Sequence, residues 1–249
     1  MNRGKKPLLQ TMGREMTITT HGFDDIPEGP NVFVANHACM RDIFAIPASL
    51  PEDCDVVISS RLAYKNSSVY TAVRRLVIEN ALHTIPLEVH GGKEYLEVGL
   101  KMAKQALLDG RSLLIFPEGA YTGSAQVTKG RTGASRILFG ASIGGVKPNL
   151  LPVGIHYEPW PTDLDAYAPQ NEQIHVTLCG PIDYTAAYRD YTASTDHKSH
   201  RRALHAPIDM AMLAIAKATD LPYIDEPIEL WPRKTMILES GEEVPVPDY

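Results

Sequence analysis

The 249-residue sequence is poor in cysteine and has no long apolar run, and each shortage excludes a class of protein. Its three cysteines are odd in number and widely spaced, which fits neither a disulfide framework nor a zinc motif and predicts a reducing compartment. No apolar run approaches the roughly 20 residues of a membrane-spanning helix, and the basic N-terminus lacks the apolar core of a signal peptide. We therefore expect a cytoplasmic protein that is either soluble or peripheral on the inner face of a membrane.

Positive charge is also in short supply. The chain has 24 Lys and Arg against 30 Asp and Glu, a formal net charge of −6. Because nucleic acids bind to a basic face, this balance argues against nucleic acid as a partner. Local basic clusters could still contact a membrane surface, although solvated surface charge explains each of them equally well. They are Arg3, Lys5 and Lys6; Arg74 and Arg75; and Lys198, Arg201 and Arg202.

The pattern of apolar residues predicts an α/β fold. No Gly/Ser-rich or Pro-rich linker divides the chain, so one compact domain is the expected organisation. Short apolar runs alternate with longer helical patterns, which is typical of strands buried on both faces and covered by helices. Six strands are expected, at residues 31–35, 55–59, 84–87, 112–116, 150–156 and 175–179.

Three helices are expected between or after these strands. From Lys93 to Leu108 apolar residues recur at spacings of three and four, and Gly110 then ends the pattern. Residues 133–142 predict a second helix, and residues 199–218 predict a third that Pro207 should break or restart. The expected organisation is an N-terminal segment, 1–26, a catalytic domain, 27–219, and an irregular C-terminal tail, 220–249.

The first motif with chemical content follows the strand at 31–35. Asn36 to Asp42 begin where that strand ends, and the carboxyl ends of strands are where α/β sheets place ligands. In a regular helix, five residues of separation would turn His37 and Asp42 about 140° apart, at about 100° per residue. His37 must therefore lie in the turn before a helix. There Asp42 could fix the imidazole tautomer and stabilise the imidazolium that forms as a hydroxyl is deprotonated.

A second motif follows the strand at 112–116. The chain reads SLLIFPEG over residues 112–119, so Pro117 stops the strand and Glu118 lies at its carboxyl end beside Gly119. Taken alone, a pair of His and Asp residues is more often structural than catalytic. The sequence Pro-Glu-Gly is likewise common in ordinary turns. Two such motifs at the ends of two strands are much harder to explain as surface groups.

Together these segments resemble the glycerolipid acyltransferase family, the lysophosphatidic acid and glycerol-3-phosphate acyltransferases. The family's motifs are NHxxxxD, FPEG and a late apolar strand with PVG, and they occur here in that order at residues 36–42, 116–119 and 151–154. Residues 131–136 also look like the family's segment of a basic residue, any residue, Gly and Ala. The resemblance covers roughly residues 27–182 and implies a single α/β domain with a mixed, largely parallel sheet flanked by helices.

The resemblance also implies a reaction. An acceptor hydroxyl would attack an acyl thioester of coenzyme A or acyl carrier protein directly, with no cofactor and no metal. His37 would be the general base and Asp42 its orienting partner. The partners would be this donor and a lipid or small-molecule acceptor. Glu118 would hydrogen-bond the acceptor's polar head, Gly119 would belong to the same acceptor site, and Arg131 could contact phosphate or the developing oxyanion. Supporting positions would be Asn36, Phe116 and Pro117.

The sequence departs from the family at two arginines that bind the acceptor phosphate. Val89 and Tyr121 stand in the segments where the family has them. Because a doubly charged phosphate loses two bidentate partners, two acceptor classes stay open. One is lysophosphatidic acid or a related glycerolipid, and the other is an alcohol, sugar or amine without a phosphate. A thioesterase in which His37 activates water, and a non-catalytic lipid-binding or carrier-binding module, are further alternatives.

Other residues carry weaker signals. Cys39 could be a thioester nucleophile, but positions at the start of a helix do not face His37 well, and buried cysteine is commonly a small apolar residue. His83, His90, His156 and His175 lack the spacing of metal ligands. Ordinary packing also explains the aromatic residues that could line an acyl groove and an apolar stripe that could touch a membrane. These are Tyr64, Tyr70, Tyr121 and Trp160 for the groove, and Leu62, Val69, Val73, Leu76 and Val77 for the stripe.

Overall fold

A computed structural model describes residues 6–51, 53–59, 78, 80–87, 93–166, 171–228, 235–237 and 243–245. The named helices of this part are α1 (Pro7–Glu15), α2 (Asp42–Ser49), α3 (Lys93–Leu108), α4 (Gly133–Ile143), α5 (Thr185–Ala193) and α6 (His197–Thr219). The strands are β1 (Thr17–His21), β2 (Asn31–Ala35), β3 (Cys54–Ser59), β4 (His83–Leu87), β5 (Ser112–Ile115), β6 (Val127–Thr128), β7 (Asn149–Glu158), β8 (Gln173–Leu178), β9 (Tyr223–Ile224), β10 (Thr235–Ile237) and β11 (Glu243–Pro245).

Seven strands form one sheet in the order β1-β8-β7-β2-β5-β3-β4. The five strands from β7 to β4 are parallel, β8 runs antiparallel to β7, and β1 pairs parallel with β8. The predicted mixed, largely parallel sheet is thus confirmed. Two short pairs lie outside it, β6 with β9 and β10 with β11.

The sheet is buried on both faces, and its central strands β2 and β5 are apolar at every position after the first. In β2, Phe33 and Ala35 belong to a core with α1 and α2, and Val32 and Val34 belong to a second core with α3, α4, α5 and α6. This alternation is the period-two geometry of a strand. β2 therefore lies at the middle of the molecule, with helices on either side.

The six predicted strands are present with ends within two residues of those expected, and the helices at 93–108 and 133–143 are present too. The predicted break at Pro207 is wrong, because α6 runs without interruption from His197 to Thr219. Proline normally destabilises the interior of a helix. Here Pro207 lies on the buried face of α6 beside Leu204, Ile208 and Ala211, and packing against the sheet holds the helix together.

Two parts of the chain are more ordered than the sequence predicted. In the segment before residue 27, β1 forms an edge strand of the main sheet and α1 packs against α2. β1 reads TITTH and is largely exposed, so it has no apolar run to reveal it. In the tail predicted to be irregular, Tyr223–Ile224 pairs with Val127–Thr128, and this contact ties residues after 220 to the domain.

Candidate active site

The carboxyl end of β2 is fixed by a side chain that extends the sheet. Asn36 donates from its amide nitrogen to the carbonyl of Ile155 at 2.9 Å, and its amide oxygen accepts from the N–H of Ile155 at 2.8 Å. This pair of bonds continues the ladder between β2 and β7 by one step. Asn36 therefore sets where the next residue, His37, leaves the sheet.

His37 and Asp42 are in contact across the turn between β2 and α2. The imidazole Nδ1 lies 2.8 Å from Asp42 Oδ2, as the five-residue spacing predicted for a histidine before the helix. Asp42 is the first residue of α2 and is fully buried, whereas the His37 side chain is 11% exposed. Because Nδ1 is occupied, Nε2 is the nitrogen that can take a proton from a substrate.

Asp42 has further donors besides His37. Oδ2 accepts from the backbone N–H groups of Ala38 at 2.6 Å and Cys39 at 2.9 Å. Oδ1 accepts from the hydroxyl of Tyr157 at 2.6 Å. Burial, together with the charge of Asp42, raises the pKa of Tyr157 well above its usual value, so the hydroxyl keeps its proton as a donor. No sequence motif marks Tyr157, which lies 115 residues from Asp42 near the end of β7.

Aromatic rings hold the imidazole in place. The ring of Phe116 stacks on His37 with centroids 4.2 Å apart, and Tyr121 meets it edge-on at 5.4 Å. Phe116 and Pro117 directly follow β5, which ends at Ile115 beside β2. The strand-end residues of β2, β5 and β7 thus meet at one point, and these are the strands of the NHxxxxD, FPEG and PVG motifs.

Glu118 lies next to His37 but faces the protein. Its Oε2 accepts from the backbone N–H of His37 at 2.7 Å, and its Oε1 accepts from the N–H and hydroxyl of Thr128 at 2.7 and 3.0 Å. The side chain is fully buried, and burial raises its pKa from 4.5 to about 7. Through these bonds Glu118 holds the backbone of His37. Its expected contact with the acceptor head stays a prediction.

Gly119 makes the turn after Glu118. Its φ of +84° is in the left-handed region that glycine tolerates best, and the residue is exposed. Three residues later the N–H of Thr122 donates to the carbonyl of His37 at 2.8 Å. The loop therefore returns to the turn that contains His37, and Gly119 lies at the exposed tip of the loop.

The segment after β7 is anchored by the middle of the NHxxxxD motif. Arg41 is buried, pairs with Glu172 at 2.6 Å and donates to the carbonyl of Ala166 at 3.2 Å. The N–H of Met40 donates to the carbonyl of Leu164 at 2.8 Å. Arg41 was not among the residues expected to have a role, although a cation in a buried motif needs a partner.

Arg131 is not among the contacts of His37 in the described part of the chain. Its backbone N–H donates to the carbonyl of Pro117 at 2.8 Å, and its guanidinium donates to the carbonyl of Ile228 at 2.7 Å. Burial lowers its pKa. The side chain lines a cavity of about 900 Å³ whose wall contains none of His37, Asp42 and Glu118.

Cys39 was weighed above as a nucleophile, and several histidines as metal ligands. Cys39 is a free, buried thiol, and burial beside Asp42 raises its pKa to about 12, so the thiolate that a nucleophile requires is scarce at neutral pH. Among the described residues, no three His, Cys, Asp or Glu side chains gather as metal ligands would. Several sequence candidates fall outside the described residues. They are Arg3, Lys5, Arg74, Arg75, Tyr64, Tyr70, Val89, His90 and the apolar stripe from Leu62 to Val77.

The chain is similar to known proteins. The sequence model of the family described as Acyltransferase matches residues 17–156, more than half of the chain. The chain belongs to the acyltransferase family. The resemblance drawn from the motifs is confirmed, and the enzyme is an acyltransferase.

A solved structure that is similar to this acyltransferase is the 1-acyl-sn-glycerophosphate (LPA) acyltransferase PlsC from Thermotoga maritima. The two chains are 17% identical, with a TM-score of 0.47 over 82% of this chain and 77% of the other. No curated protein sequence matches the chain. None of the described helices is both long and apolar enough to cross a membrane.

Proposed function

We propose that the enzyme transfers a fatty acyl group from an acyl thioester to a hydroxyl of a glycerolipid acceptor, by direct attack with His37 as general base. The observation that carries the proposal is the 2.8 Å contact between His37 Nδ1 and a buried Asp42 that three further donors hold in place. This is the geometry of a base whose tautomer and orientation are set by a carboxylate.

The proposed reaction has two steps. Nε2 of His37 takes the proton of the acceptor hydroxyl while its oxygen attacks the thioester carbonyl, which becomes a tetrahedral oxyanion. The oxyanion collapses and the carbon–sulfur bond breaks. The departing thiolate takes the proton from the imidazolium, which leaves an ester, a free thiol and His37 in its starting form. Asp42 stabilises the imidazolium between the two steps.

The donor is proposed to be acyl coenzyme A or acyl carrier protein, and no cofactor is needed by these steps. The acceptor is proposed to be lysophosphatidic acid or a related glycerolipid that approaches His37 over the exposed Gly119.

One observation favours an acceptor without a phosphate. Tyr121, which stands where the family has an arginine, packs against His37 and hydrogen-bonds the carboxylate of Asp165, so an acid lies on this side of the base.

The deciding experiment offers the purified enzyme a labelled acyl thioester with a panel of acceptors. The panel contains lysophosphatidate, glycerol 3-phosphate, neutral alcohols, sugars and amines. We expect ester formation that requires an acceptor and is fastest with a glycerolipid. Efficient transfer only to acceptors without phosphate would support the second acceptor class. Release of free fatty acid at the same rate with no acceptor would refute transfer and support a thioesterase.

We also propose that the enzyme works at a membrane surface, since a lipid acceptor is delivered there. Tyr95, Val98 and Met102 are exposed by 65%, 55% and 44%, and their spacing puts them on one side of α3. Sedimentation with phospholipid vesicles tests this proposal. Binding that weakens when Val98 and Met102 are changed to Ser would support it, and an enzyme left entirely in the supernatant would contradict it.

A further inference from the structure

The cavity that contains Arg131 has the composition of a binding site. It lies between residues 129–132, the N-terminal half of α6 and residues 225–227. Its wall carries three histidines, His197, His200 and His205, and two carboxylates, Asp209 and Asp225. It also carries four cations, Lys129, Arg131, Arg136 and Arg201. This positive balance contrasts with a chain whose formal net charge is −6, and it favours an anionic ligand.

Three residues that line the cavity also carry buried polar atoms without partners. Within the described part of the chain, Arg131 Nε, His205 Nδ1 and Asp209 Oδ1 are buried and make no hydrogen bond. All three residues line this cavity. Buried polar atoms are nearly always paired in folded proteins. Three unpaired atoms in residues of one cavity wall therefore indicate that a ligand or solvent supplies their partners. A ligand that pairs with these atoms must offer an acceptor to Arg131 Nε and a donor to Asp209 Oδ1.

Two of the cations are available to a ligand. Lys129 lies 2.8 Å from Asp225, which neutralises it in part. Arg136, in the first turn of α4, and Arg201, on α6, are exposed and form no ion pair with any described residue. Thr132, which precedes α4, also lines the cavity, so the N-terminus of an 11-residue helix adds its positive end.

The cavity is on the other side of the sheet from the rings that hold His37. Phe116, which stacks on His37, packs in the core with α2, whereas α4 and α6 pack on the opposite core. In the described part of the chain the turn after β5 connects the two sites, since the carbonyl of Pro117 accepts from the N–H of Arg131 and Glu118 accepts from the N–H of His37. A ligand that uses both sites must therefore be long.

We propose that this cavity binds the nucleotide end of a coenzyme A thioester, the adenosine with its 3′-phosphate and 5′-diphosphate. The cations face the phosphates, and Asp209 accepts from a ribose hydroxyl or the adenine amino group. The long pantetheine arm of coenzyme A can pass the β5 turn and bring the thioester to His37. An acceptor such as lysophosphatidate cannot span the two sites, because its phosphate is on the carbon next to its free hydroxyl. This proposal rests on the thioester donor of the proposed function.

Direct binding tests the site without relying on turnover. The affinities of adenosine 3′,5′-bisphosphate, coenzyme A and glycerol 3-phosphate are measured by calorimetry on the full chain and on Arg136→Ala, Arg201→Ala and Arg202→Ala. Arg202 is the matched control, because it is exposed on α6 next to Arg201 but is not in the cavity wall. We expect Kd for the two nucleotides to rise at least about tenfold in the first two variants, about 1.4 kcal/mol, and to stay within about twofold in Arg202→Ala. Circular dichroism confirms that each variant is folded.

Kinetics then identify the substrate that the site serves. The KM for acyl coenzyme A should rise in Arg136→Ala and Arg201→Ala by the same factor as Kd, with kcat and the acceptor KM unchanged. The proposal is overturned if neither nucleotide binds, if glycerol 3-phosphate binds with the same sensitivity to these arginines, or if only the KM for an acyl carrier protein rises. Nucleotide binding by a chain that transfers no acyl group would uphold the site and reject the proposed function.

Discussion

At the scale of single residues, the orientation of Asp42 depends on a hydroxyl from another strand. Tyr157→Phe keeps the buried ring but removes the donor at 2.6 Å from Asp42 Oδ1. A hydrogen bond to a charged group contributes about 1.5 to 3 kcal/mol, so the carboxylate should hold the imidazole less well. We expect kcat to fall about tenfold with little change in either KM, measured with a labelled thioester and saturating acceptor.

Tyr184→Phe is the matched control for this change. Tyr184 is also buried, but its hydroxyl donates to the carbonyl of Pro148, in the core on the opposite face of the sheet. The control should lose stability and keep its turnover. Equal kcat values for Tyr157→Phe and the wild-type enzyme would mean that Asp42 does not need this donor.

Glu118 supports the same site through the backbone N–H of His37. Both of its oxygens face donors, so in Glu118→Gln an amide nitrogen must point at an N–H group of His37 or Thr128. Leaving a buried donor unpaired costs about 1 to 3 kcal/mol, and the backbone of His37 should shift. We expect a lower free energy of unfolding and a lower kcat. Glu94→Gln, on an exposed position of α3, should change the free energy of unfolding by less than about 0.5 kcal/mol.

The pH dependence of stability gives a second measurement on Glu118. Burial raises its pKa in the folded enzyme from 4.5 to about 7, so the folded state holds this proton more tightly than the unfolded chain does. Its contribution to stability is therefore greatest below pH 4.5 and is lost as the pH rises through 7. Denaturant titrations between pH 5 and 8 should show the advantage of wild type over Glu118→Gln shrinking as the pH rises. An advantage that grows with pH would mean that the folded state favours the charged form.

His37 and Asp42 could be predicted from the sequence because the geometry of one turn decides their contact. Tyr157 and Glu172 could not, since they reach the turn from far along the chain and no local pattern marks them. Glu118 was placed correctly at a strand end, but its direction depends on Thr128, which spacing does not reveal.

At the scale of elements, the loop after β5 depends on a close approach to α6. A Cβ on Gly130 would lie 2.4 Å from Ile208 Cγ2 and 3.0 Å from Pro117 Cβ. Gly130→Ala should therefore push residues 129–131 away from α6 and lower the free energy of unfolding by about 1 to 3 kcal/mol, as overpacking does. Denaturant unfolding measures this loss.

Gly133→Ala is the control for that loop. A Cβ on Gly133 meets nothing within 4 Å, and the residue begins α4, where alanine is the better helix former. Its free energy of unfolding should rise by about 0.5 to 1 kcal/mol. The same sign of change in both variants would contradict the assigned contact with α6.

Elements with a buried face were the ones that the sequence could predict. β2, β5 and β7 are continuous apolar runs, and α3 has a regular apolar spacing. β1 and α5 were missed because their residues are mostly exposed and polar, so their positions depend on β8 and α6 beside them. The continuity of α6 through Pro207 likewise comes from packing that local propensity does not contain.

At the scale of the whole molecule, the sheet order explains why three distant motifs form one site. β2 lies between β7 and β5, so the ends of these parallel strands bring His37, the Tyr157 donor to Asp42 and the ring of Phe116 to one edge of the sheet. The cavity with Arg131 opens on the α6 side of the same edge. The fold thus gives the acyltransferase a reacting centre and a cationic cavity joined by one turn.

The most direct test of this account is the rate of acyl transfer by His37→Ala. Single-turnover transfer from a labelled thioester to the best acceptor is measured for wild type, His37→Ala and the exposed control His21→Ala, each shown to be folded by thermal unfolding. We expect a loss of at least about a hundredfold in His37→Ala, the range that a general base supplies, and no loss in His21→Ala. Transfer by His37→Ala at the wild-type rate would contradict the assignment of His37 as the base.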